Sequence, residues 1–97
     1  MSATMGLLFD GILAPKTQRW VSWKNIGMGP KFFYAEPKDG QFFFPQRIEI
    51  LKVQIVVSNN TGKRDAFILL NNPSEQQTAP EGWVDGCAFH LYWVVFG

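Results

Sequence analysis

The 97-residue chain carries nine basic and eight acidic side chains, for a formal charge of +1. Neither sign gathers into a stripe or block, which excludes the electrostatic footprint of a nucleic-acid binder. Cys87 is the only cysteine, so an intrachain disulfide is excluded. Nine phenylalanines, four tryptophans and two tyrosines are many rings for one domain. A chain this short buries only about 60–68 % of the surface its unfolded form exposes, so some rings must face outward.

The first segment, Met5 to Leu13, places Leu7, Leu8, Phe9, Ile12 and Leu13 around Gly6, Asp10 and Gly11. Two glycines weaken a helix, so residues 1–14 read as an N-terminal arm or a short strand. No basic residue precedes the apolar part and Asp10 interrupts it early, which is neither a signal peptide nor a membrane span. Ala14-Pro15-Lys16-Thr17 breaks the chain. Gln18 to Asn25 then alternates as a strand with Trp20 on one face and Trp23 on the other, and Ile26-Gly27-Met28-Gly29-Pro30 forms a loop.

Two aromatic runs follow, Lys31 to Ala35 and Gln41 to Phe44, separated by Glu36-Pro37-Lys38-Asp39-Gly40. The proline and the Asp-Gly pair are turn formers, and a hairpin is expected. Successive side chains on a strand alternate faces, so three rings in a row put apolar surface on both sides of it.

Arg47 to Asn60 is the longest β-branched stretch, and the rest of the chain is expected to be built against it. Val53, Ile55 and Val57 alternate with Lys52, Gln54 and Ser58, the period of a strand with one face buried. Ile48 and Ile50 lie in the opposite phase, which predicts a β-bulge, or a passage between sheets, at Ile50–Leu51. Asn60-Thr61-Gly62-Lys63 turns this strand back into Asp65 to Asn71 as a hairpin. The sequon at Asn59 is expected to stay unmodified without a secretion signal.

Residues 72–86 form a long polar connection around a single tryptophan, Trp83. The chain closes with Cys87 to Phe96, another alternating strand flush with the end of the sequence. Cys87 and His90, three apart on a strand, project to opposite faces and make no thiolate–imidazole pair. One cysteine with one histidine does not approach the four ligands of a structural zinc site. No metal, cofactor or catalytic residue is expected.

Six to seven strands and no helix point to an all-β single domain, 1–97, as a small antiparallel β-sandwich or jelly roll. Lys-Phe-Phe-Tyr-Ala, Gln-Phe-Phe-Phe, Ala-Phe-Ile-Leu-Leu and Leu-Tyr-Trp-Val-Val-Phe are apolar on both faces, whereas an outer sheet face in water shows polar alternation. The expectation is therefore a homo-oligomer or a larger protein assembly, with Phe33, Phe42, Phe44, Tyr92 and Phe96 at the interface. A non-enzymatic structural subunit of a virus or phage particle fits this, as a capsid, decoration or tail protein located in the virion or the cytoplasm. The alternative is a small oligomeric lectin whose glycan stacks on Trp83 while Gln76, Gln77 and Asp85 hold its hydroxyls. Glu81 and Asp85 as a calcium or acid–base pair rank behind both, because their spacing matches neither pattern. No nucleic acid and no membrane enters either reading.

Overall fold

The computed structural model describes residues 2–38, 46–74 and 86–96. Six strands make up the fold: β1 (Ala3–Leu13), β2 (Gln18–Trp23), β3 (Phe32–Pro37), β4 (Glu49–Val57), β5 (Arg64–Asn71) and β6 (Cys87–Phe96). They form two antiparallel three-stranded sheets, ordered β1-β6-β3 (sheet A) and β2-β5-β4 (sheet B). No helix occurs among the described residues.

The two central strands supply the core. Alternation places Ala66, Ile68 and Leu70 of β5 and Cys87, Phe89 and Leu91 of β6 on inner faces, and all six are fully buried. Leu13, Val21 and Ile26 complete this cluster. At one end of the interface, Trp23 of sheet B stacks on Trp93 of sheet A at 6.0 Å and meets Phe33 edge-on at 6.2 Å. At the other end, the buried Asn72 side chain donates from Nδ2 to the Leu13 carbonyl, 2.9 Å away, and so ties the end of β5 to the end of β1.

The N-terminal segment is a full strand rather than an arm. Ala3 to Leu13 pairs along the length of β6, with one irregularity between Leu7 and Phe9. Gly6 has a specific reason to be there: a Cβ built on it would lie 2.3 Å from the Trp93 ring, so only glycine admits that indole.

The stretch expected to organise the fold proves to be, among the described strands, at the edge of sheet B. The predicted slip is present, since the β4–β5 register shifts between Ile50 and Lys52, and Ile48 and Ile50 pack against the core. The expected burial of Val53, Ile55 and Val57 is not observed: they are 43 %, 41 % and 57 % exposed. Periodicity reports which side chains share a face but not whether another layer covers that face. The β4–β5 hairpin forms as expected, with Gly62 at φ 68° in its turn. The first aromatic run, expected over Lys31 to Ala35, forms β3, which runs on through Glu36 and Pro37 where a turn was expected and pairs with β6. The second aromatic arm, Gln41 to Phe44, lies outside the described residues.

Candidate functional site

The outer face of sheet A gathers a broad apolar surface. On β3 the pleat turns Phe33 and Ala35 inward and Phe32, Tyr34 and Glu36 outward. Opposite them, β6 presents His90, Tyr92 and Val94, and β1 presents Met5 and Leu7. Phe32 meets Phe96 edge-on at 5.5 Å, and Tyr34 stacks on Tyr92 at 6.4 Å. Met5, Leu7, Phe32, Tyr34 and Phe96 are each about half exposed. Cross-strand rings thus hold one another in place while leaving one side open to a partner.

A charged cluster ends this apolar face. Asp10 of β1 sits opposite His90 of β6 in the register, and its Oδ1 lies 2.5 Å from His90 Nδ1. Lys38 Nζ approaches Asp10 Oδ2 at 3.4 Å. The hydrogen bond with His90 holds the Asp10 carboxyl below its ordinary range, against partial desolvation, with Lys38 adding to the pull. A lowered carboxyl favours the fold at pH above its ordinary range, and that contribution fades as pH falls through the lowered value. Beside the cluster, the Tyr34 hydroxyl donates to Glu36 Oε2 at 3.1 Å, which keeps the phenol protonated above its usual range. His90 and Asp10 orient each other, but no hydroxyl or thiol nucleophile is bonded to this imidazole among the described residues; Cys87 is buried on the inner face. Among the described residues no group of three or more His, Cys, Asp or Glu side chains is placed to hold a metal ion.

The outer face of sheet B differs in kind. Trp20, Gln54, Val56 and Phe67 line a surface depression of about 250 Å³. Trp20 is 49 % exposed, and Lys24 Nζ lies 4.6 Å from the centre of the Phe67 ring while also approaching Asp65 at 3.6 Å. Here rings alternate with amide and ammonium groups instead of forming a continuous apolar belt.

Of the residues singled out from sequence, Tyr92 and Phe96 lie on the outer face of sheet A. Phe33 instead packs inward against Trp23, so it serves the interior. Phe42, Phe44, Gln76, Gln77, Glu81, Trp83 and Asp85 lie outside the described residues. The Asp10–His90 pair was not anticipated, because 80 positions separate its members and only strand pairing brings them together. The Trp20 depression had one visible signal, a tryptophan on the polar side of β2. No helix among the described residues is long and apolar enough to cross a membrane. Comparison with protein families, with curated proteins and with solved structures returned no match to this chain.

Proposed function

We propose that this protein is a non-enzymatic, self-associating β-sandwich subunit, and that it serves as a structural component of a virus or phage particle, in a capsid, decoration or tail role. The observation that carries the reading is the outer face of sheet A, where Met5, Leu7, Phe32, Tyr34 and Phe96 stand half exposed on one continuous surface. At roughly 100 Å² apiece they leave about 500 Å² of apolar area in water. Covering that area would favour association by about 12 kcal/mol before ordering costs are subtracted. An apolar patch of this size matches the largest found on typical monomers, and such patches are often interaction sites. The particle role rests on architecture, since small all-β subunits with sticky outer faces suit repetitive assembly.

The test is sedimentation equilibrium over about 1–100 μM protomer, a range in which mass action separates stable from transient association. A mass that is a multiple of 11.0 kDa is expected. A monomer throughout overturns the proposal.

The sheet B depression favours a second reading, carbohydrate binding. Its volume lies below the roughly 300–1,000 Å³ of drug-sized pockets, so it suits one small ring. A sugar would lay its C–H face on Trp20 and offer hydroxyls to Gln54. On a glycan array, binding lost in Trp20→Ala and kept in Trp83→Ala is the expected pattern for this depression. The reverse pattern returns the site to the loop around Trp83, and an empty array removes the reading.

A further inference from the structure

We propose that β4 pairs with β4 of a second copy, antiparallel about a two-fold axis at Ile55, to join two B sheets into one of six strands. The inference rests on the self-association reading and adds to it a second interface, distinct from the outer face of sheet A.

The first observation is exposure on both faces of one strand. Leu51, Val53, Ile55, Val56 and Val57 are 48 %, 43 %, 41 %, 46 % and 57 % exposed. Val53 and Ile55 share a face with the fully buried Ile68 and Ala66, opposite which they pair. Their side of the sheet is therefore the core side, left uncovered where β4 forms the edge. The second observation is the edge itself. Among the described residues β4 pairs only with β5, and none of them takes up the backbone donors and acceptors on its other side. Natural edge strands are guarded by charge, proline or a bulge. In β4 the guards stand at the N-terminal end, as Glu49, Lys52 and the irregularity near Leu51. Val53-Gln54-Ile55-Val56-Val57 has none.

The third observation selects a second copy as the occupant. Val53-Gln54-Ile55-Val56-Val57 reads nearly alike in both directions about Ile55. Antiparallel self-pairing on that centre sets Val53 against Val57 of the second copy twice, and Ile55 against Ile55. Lys52 falls opposite Ser58, so no like charges meet. Pairing on this centre covers the flanks of Val53, Ile55, Val56 and Val57 in each copy and satisfies the backbone edge. The contact is smaller than the ~1,000 Å² of a stand-alone specific interface and acts together with the outer face of sheet A.

Two separate association surfaces on one subunit let assembly extend beyond a dimer. The test uses the full chain and reads mass by sedimentation. Val53→Lys with Val57→Lys places like charges opposite each other across the axis, and is expected to weaken the contact by about 100-fold or more and halve the assembly mass. Val53→Lys with Val57→Glu sets opposite charges against each other in the same register and is expected to restore the mass. A double-lysine variant that sediments like the wild type overturns β4 pairing while leaving self-association standing; a monomeric wild type overturns both. Ile55→Cys decides the matter without introduced charge. Opposed residues in an antiparallel pair have Cα atoms about 4.5–5.5 Å apart, within disulfide reach. Native Cys87 is fully buried and does not compete. Oxidation is expected to give a covalent dimer, and failure to cross-link under assembling conditions counts against the pairing.

Discussion

Replacing Phe89 by alanine is expected to lower folding stability by about 3–5 kcal/mol. Phe89 is fully buried on the central strand of sheet A, its ring 6.0 Å from that of Phe9. Across the sheet stands Gly11, where an added Cβ would come within 3.4 Å of the Phe89 ring. Removal of the ring opens a void between two sheets whose hydrogen-bonded strands cannot close in to fill it. A domain of this size has a margin of only about 5–15 kcal/mol, so the loss takes a large share of it. Phe96→Ala, on the same strand but half exposed, should cost far less. Guanidinium unfolding of the three proteins at one fixed protomer concentration makes the comparison, because association adds to apparent stability. Equal losses in the two variants would mean that no closed interior forms around Phe89.

The second large effect is expected from Asn72→Asp. The Asn72 side chain is fully buried and uses both ends of its amide: Nδ2 donates to the Leu13 carbonyl at 2.9 Å, and Oδ1 accepts from the Ser74 backbone N–H at 3.0 Å. Aspartate keeps the acceptor but sets an oxygen against the Leu13 carbonyl and buries a charge, at a cost of about 3–5 kcal/mol near neutral pH. Asn72→Ala instead orphans two buried groups, at roughly 1–3 kcal/mol each. The two variants separate by pH. Burial raises the introduced carboxyl's pKa in the folded state, so the aspartate deficit shrinks as pH falls and the protonated acid can donate again. Urea midpoints at about pH 7 and pH 4, which bracket most of that titration, are expected to converge on wild type for aspartate and not for alanine. An aspartate variant as stable as wild type at neutral pH would show that water reaches Asn72.

Much of the fold was legible because strand alternation is local. Cys87, Phe89 and Leu91 share a face by spacing alone, and they are core. The irregularity in β4 was legible for the same reason, since Ile50 and Val53 are out of phase within the sequence itself. What stayed hidden depends on distant partners. The hydrophobicity of β4 made it look central, yet β5 and β6, with equally apolar faces, hold the middle of each sheet. Nothing within a strand records how many neighbours flank it. Gly6 read as a weakness in a helix, but its meaning is the Trp93 ring that lies over it. Phe33 read as an interface ring because three successive rings make both phases of β3 apolar; only the position of Trp23 shows which phase is interior.

The order of strands in sheet A bears on how the molecule is made. Ala3 lies opposite Phe96, and among the described residues both β1 and β3 find their only ladder partner in β6. While a ribosome is still adding residues 87–96, neither flanking strand yet has its β6 partner. Roughly 80 residues separate the completion of β1 from that of β6, a wait of about 4–16 s at 5–20 residues per second. During that interval Phe9, whose ring packs on Phe89 of β6, remains open to nascent-chain chaperones or to neighbouring polysomes, and sheet A closes only when β6 is added between the two strands.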